Sequence, residues 1–161
     1  MGTYMKIESP NVKGQATDSK HADWIPVLSL HQDVRRPMAF QNGVASLSSV
    51  EFEDIMVITK MGKHVPELAQ AVAKGTKFAT ITIEVCADTG AGSQEAYYKL
   101  ILSDVHVSRL GVDANEGGGQ ADTISINLAA AKIQWDFSKW VGDTNEETVS
   151  KTWNVAKNAE S

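Results

Sequence analysis

The sequence predicts a mainly β protein: a β-barrel-like or two-sheet fold with bent strands and one flanking α-helix over about residues 63–75. Three observations predict it. Long segments alternate apolar and polar residues with a period of two. Three of those segments change phase partway along. One segment alone carries a helical stripe with its own start and stop signals.

Residues 24–31 read as the first strand. Residues 34–49 read as a loop, passing through Arg35-Arg36-Pro37-Met38, Asn42-Gly43 and Ser46-Leu47-Ser48-Ser49. Residues 50–59 form a strand whose apolar positions move from even to odd near Asp54. In the helix, Val65, Leu68, Ala69 and Val72 fall at i, i+3, i+4 and i+7. Pro66 suits its first turn, Glu67 and Lys74 complement the two ends of its dipole, and Gly75 terminates it. Leu68 and Val72 are expected to be buried against the barrel or a neighbour.

Residues 77–86 alternate cleanly, with Ala79, Ile81, Ile83 and Val85 on one side and Thr80, Thr82 and Glu84 on the other. Turn chemistry over residues 88–93 joins them to a second long strand, residues 96–109, as a hairpin. There Leu100 and Leu102 hand over to Val105 and Val107 across Ser103-Asp104. A second loop spans residues 111–120 and contains Gly117-Gly118-Gly119. In the strand over residues 124–137, Ile124, Ile126 and Leu128 hand over to Ile133, Trp135 and Phe137 across Ala129-Ala130-Ala131. A period of two cannot change faces without an extra residue or a sharp bend, so bulges or corners are expected at these points. Residues 148–155 form the closing strand.

The chain has 161 residues, enough for one complete core, and no composition shift or repeat divides it, so one domain over residues 1–161 is expected. Its 15 Lys and Arg against 20 Asp and Glu give a net charge of −5, which argues against nucleic-acid phosphates or anionic lipid as partners. A single cysteine, Cys86, excludes an intrachain disulfide and a zinc site built on several thiolates. No run approaches the roughly 18 apolar residues of a membrane span. The N-terminus shows no apolar signal region, so synthesis and folding in the cytoplasm are expected, with any export by a route that accepts folded protein.

The chemistry on offer is thin. Asp104 and His106 stand at i, i+2 on one strand face, the orienter and base of a hydrolase triad, yet no Gly-x-Ser-x-Gly elbow accompanies them. They read as a polar pair on a sheet. His21, His31, His64 and His106 show no metal spacing. Residues 113–118 lack the ligands of a calcium loop, and the glycine triplet lacks the Gly-Lys-Ser/Thr of a phosphate loop. Cys86, with no cation near it in sequence, reads as unreactive. Trp24, Trp135, Trp140 and Trp153 read as packing residues, since no basic track surrounds them. No catalytic residue, cofactor or metal is assigned.

The order of short motifs resembles the Hcp family (haemolysin-coregulated protein), the tube protein of bacterial type VI secretion. The motifs are Val12-Lys13-Gly14, Asp18, and His21-Ala22-Asp23-Trp24-Ile25 with Val27 and Ser29. Asp54 and Lys60 follow, then Pro66, Leu68, Ala71 and Gly75 in the strand-to-helix passage. Lys99-Leu100 and residues 104–108, then residues 122–128, Ile133-Gln134-Trp135 and Trp153-Asn154-Val155 complete the series. Gly14-Gln15-Ala16 departs from the family's Gly-Glu-Ser.

The resemblance implies a barrel-like subunit of a hexameric ring. Such rings stack into a hollow tube, sheathed by a contractile jacket and tipped by a spike, and hold effector proteins in the lumen. It also implies a structural protein rather than an enzyme, exported without a signal peptide. Family members with an attached toxin extend further; here the chain is expected to end with the tube module. Residues 34–49 are then the arm that reaches the next ring, with Val34, Arg35, Arg36, Met38, Gln41, Asn42 and Gly43 as its contact residues. Two other readings stand beside this one: a monomeric small-ligand-binding β-barrel and a hydrolase using Asp104 and His106. A binding barrel needs interior room, whereas this core is dense in Ile, Val and Leu.

Overall fold

The computed structural model describes residues 2–90, 92, 94–116 and 122–160. Gly117-Gly118-Gly119 and the end of the second expected loop lie outside the described residues, as do Ala91 and Ser93 of the hairpin turn.

Six antiparallel strands close a barrel: β1 (Gly2–Glu8), β2 (Ile25–His31), β7 (Ile55–Lys60), β8 (Lys77–Asp88), β9 (Gln94–Asp113) and β10 (Thr123–Val141). The ladder runs β10-β7-β2-β1-β8-β9, and β9 returns to pair with β10, so the sheet has no free edge around the barrel. β1 was not anticipated, although Met5 and Ile7 point inward between Lys6 and Glu8. The barrel is filled by aliphatic side chains, among them Met5, Ile25, Ile83, Leu100, Leu102 and Ile126, each without solvent exposure.

The phase changes are corners. Asp104 has a left-handed φ of 51°. It is skipped in both of β9's ladders, as are Ala79 on β8 and Ala131 on β10. Three neighbouring strands therefore turn their faces at one level, from Phe78, Val105 and Leu128 to Ile81, Leu102 and Ile133. The freed backbone groups find other partners: Ala79 N donates to Ser9 O at 3.1 Å, and Ala131 O accepts from Val155 N at 2.8 Å. Beyond this corner β10 leaves β7 and pairs instead with β11 (Thr144–Asn154), whose end carries β12 (Ala159–Glu160). The expected strand over residues 50–59 is in fact two, β6 (Glu51–Phe52) and β7, separated at Glu53-Asp54.

The helix α1 (His64–Lys74) packs against β9. Leu68 is fully buried and Val72 partly so. Gly75 ends it at φ 68°, and Thr76 N closes the turn onto Ala71 O at 2.9 Å. At its start His64 Nε2 lies 2.9 Å from Thr59 Oγ1, both buried, tying the helix to β7. Burial holds His64 below the ordinary histidine range.

A strap over residues 14–24 crosses the outer face of β1 and β8. Its turns are closed by Gly14 N to Asp23 O at 2.7 Å and Ala16 N to Trp24 O at 3.0 Å. A Cβ at Gly14 would lie 2.3 Å from the Trp24 carbonyl oxygen, so the strap needs glycine there.

Candidate functional site

The segment expected to be a loop over residues 34–49 is a β-hairpin arm. β3 (Val34–Arg35) pairs with β6, and β4 (Met38–Gln41) pairs with β5 (Val44–Leu47) in a two-stranded sheet of its own. The backbone groups that β4 and β5 turn toward each other are thus paired within the arm, while the outer edges of this two-stranded sheet stay open. Asn42 and Gly43, at φ 52° and 78°, make the two-residue turn in which both central residues are left-handed. Ser48 N continues the ladder onto Pro37 O at 2.9 Å.

The arm's root is fastened while its tip is free. Arg35 Nε donates to Glu51 Oε2 at 2.8 Å across the β3–β6 pair. Phe52 stacks on Trp135 and Trp153, with ring centroids 6.3 and 6.5 Å away. Trp135 Nε1 donates to Gln32 Oε1 at 3.0 Å, anchoring the chain just before β3. Outward from the root every residue of β4 and β5 is exposed.

Register gives the arm two faces. Met38 stands opposite Leu47 and Phe40 opposite Ala45, so these four share an apolar face. Ala39, Gln41, Val44 and Ser46 form the other. Phe40 is 72% exposed, Val44 68% and Met38 61%. Of the expected contact residues, Val34, Met38, Gln41, Asn42 and Gly43 lie along this arm, Arg36 is exposed between β3 and β4, and Arg35 is engaged at the root. Phe40, Ala45 and Leu47 were not singled out, although the alternation of Met38 and Phe40 before Asn42-Gly43 carried the signal.

The hydrolase pair is not assembled. Asp104 and His106 are both exposed, and the left-handed turn at Asp104 carries its carboxylate to Lys77 Nζ at 3.8 Å. A cavity of about 430 Å³ lies on the outer face of the barrel, under the strap, lined by His21, Glu84, Lys99 and Trp140 among others. It is not inside the barrel, as a small-ligand-binding barrel would need. His21, Glu84 and Cys86, beside this cavity, form a group able to hold a metal ion.

Comparison with known proteins gives one answer. The family model described as "Type VI secretion system effector, Hcp" matches residues 4–137. Protein hcp1 of Pseudomonas aeruginosa is 24% identical over 164 residues, covering 99% of each chain. The fold matches a solved type six secretion system protein with a TM-score of 0.89 at 23% identity, covering 99% of each chain. It also matches Hcp1 from Salmonella typhimurium with a TM-score of 0.81 at 17% identity, covering 99% of this chain and 98% of that one.

Proposed function

This chain belongs to the Hcp family of type VI secretion proteins, and we propose that it is the subunit of a hexameric ring that stacks into a hollow tube and carries effector proteins in its lumen. In this reading residues 1–161 are one tube domain, and the arm is the element that bridges one ring to the next. The observation that carries it is the arm itself: a paired, rooted hairpin with an apolar face that nothing in its own protomer covers. A monomer has no use for such a surface, and edge strands left open in this way invite a further chain.

Ring closure and ring stacking need two different surfaces, because a head-to-tail interface within a ring cannot also join rings. A second apolar patch stands on the β10–β11 ribbon, where Phe137 faces Val149 and Val141 ends β10, all three about half exposed. We assign this patch to contacts within the assembly and the arm to axial stacking. Spike and sheath proteins are the further partners of such a tube, and export proceeds in the folded, assembled state.

The test is the mass in solution by light scattering after size exclusion, with negative-stain images of the same peak. A hexamer with a central hole is expected. A chain that stays monomeric at high concentration would overturn the ring reading.

A further inference from the structure

Beneath the strap, side chains from two distant parts of the chain converge. His21 is 2% exposed; its Nδ1 lies 2.6 Å from Asp18 Oδ2 and its Nε2 2.8 Å from Glu84 Oε2. Cys86 is fully buried, with Sγ 3.8 Å from the same Nε2. One ligand atom each from His21, Glu84 and Cys86 lie within 4.8 Å of one another. Tyr4 stacks on the imidazole at 4.3 Å, and Trp24 meets it edge-on at 4.8 Å, so the ring's orientation is fixed.

We propose that Cys86, His21 and Glu84 bind a zinc-class divalent cation, fastening the strap to β8. The donor set of one thiolate, one imidazole and one carboxylate suits a borderline-soft ion with nitrogen, sulfur and oxygen ligands. Zinc bonds of about 2.0–2.3 Å place tetrahedral ligand atoms roughly 3.3–3.6 Å apart. The observed 2.8 and 3.8 Å from Nε2 bracket that spacing, so these two pairs need only sub-ångström adjustment, while the Glu84 and Cys86 ligand atoms, within 4.8 Å of each other, draw together as the ion seats.

The surrounding groups are those a metal site uses. Nδ1 facing the Asp18 carboxylate is the outer hydrogen bond that fixes a ligating histidine's tautomer. Lys99 Nζ holds the other oxygen of Glu84, Oε1, at 3.2 Å, leaving Oε2 for the ion. The polar cavity lined by His21 and Glu84 gives the ion a path in and leaves room for water as a fourth ligand. Burial first, then the Glu84 and Asp18 charges, push the Cys86 thiol up to about 11, so without an ion it stays protonated. A divalent cation reverses that balance and deprotonates a coordinating thiol outright. Binding therefore releases to solvent the Cys86 Sγ proton and the proton shared between His21 Nε2 and Glu84 Oε2. It replaces the His21–Glu84 hydrogen bond with two coordinate bonds, and nothing is oxidised or reduced.

The test is titration of the purified, assembled protein with Co²⁺, followed by displacement with Zn²⁺. A thiolate-to-cobalt charge-transfer band saturating at one ion per chain is expected, and Zn²⁺ should erase it. Cys86 is the chain's only cysteine, so the band in the unaltered protein already identifies its ligand, whatever the variants do. Asp18→Asn should weaken zinc binding roughly 10- to 100-fold, as loss of an outer-shell partner does. Absence of the band, or zinc affinity unchanged in Cys86→Ser, would overturn the proposal. Neither result bears on ring formation or on stacking, which the proposed function rests on other surfaces.

Discussion

Replacing Phe40 by aspartate should abolish ring stacking and leave the protomer's fold untouched. Phe40 is 72% exposed and stands opposite Ala45 on its own hairpin. A phenylalanine presenting about 200 Å² in all has roughly 140 Å² left to bury. At about 25 cal/mol per Å² that surface is worth at most about 3.5 kcal/mol. Association recovers only part of such an area term; if half is realised, stacking loses about 1.7 kcal/mol per subunit, close to 20-fold. The loss is repeated at every arm around a ring, and the new carboxylate adds a desolvation cost. The assay is sedimentation velocity over a concentration series, with negative-stain images, alongside thermal melting of the same preparations. Rings should persist, tubes should vanish, and the melting transition should move by no more than an ordinary surface substitution allows, about 0.5 kcal/mol. Tubes forming at the same concentration as with the unaltered chain would refute the arm's axial role. A large fall in melting temperature would refute the premise that Phe40 is free of the core.

Two further outcomes test the body of the fold. Leu68 has no exposed surface; Leu68→Asp should cost at least about 4 kcal/mol, the upper range for emptying a core leucine site plus an unpaired buried charge. At 2–4 °C per kcal/mol that is about 10 °C or more in melting temperature, and an unchanged transition would show the helix face to be solvated. His64 is buried beside Thr59 with its proton affinity depressed. The unfolded chain therefore takes up a proton that the folded chain refuses. Stability should be full above the ordinary histidine value of about 6.5 and fall as pH drops below it. Urea midpoints between about pH 7.5 and 5.5 should show that slope flattened in His64→Gln, and parallel slopes would remove His64 as its cause.

Most strands of the barrel wall were legible because one face is apolar and the other is not, and the corners of β9 and β10 showed as breaks in phase. The corner of β8 was instead read as unbroken alternation, although Ala79 is exposed there. Ser103-Asp104 and Ala129–Ala131 sit where the structure turns all three strands. The arm was misread as a loop for the opposite reason. Met38, Phe40, Ala45 and Leu47 alternate, but neither face is buried in the protomer, so the contrast that marks a strand is weak. The Asn42-Gly43 turn was the stronger signal. β1 hid in seven residues at the chain start, where only Met5 and Ile7 speak for it. The His21, Glu84 and Cys86 cluster was beyond any reading by spacing, since 63 and 65 residues separate the histidine from its partners. It exists only because the strap lies across β8.

Closure of the barrel sharpens the argument for assembly. Pairing β9 back onto β10 removes the open edges that a sheet of this length would otherwise present. A chain that closes its barrel in this way has little reason to leave apolar side chains in water by accident. Yet of the twelve large exposed hydrophobic residues among the described ones, five, Val34, Met38, Phe40, Val44 and Leu47, fall within residues 34–47. They sit on a hairpin whose root is locked by Phe52, Trp135 and Arg35, and whose tip is built on a tight two-residue turn. A rigid root and an apolar tip together describe a preorganised contact, for which little ordering entropy remains to be lost on docking. The same surface in solution is an aggregation hazard unless a partner takes it up. In the proposed tube, stacking would give each arm such a partner in the next ring, so the feature that endangers the free protomer would be the one that supports the tube.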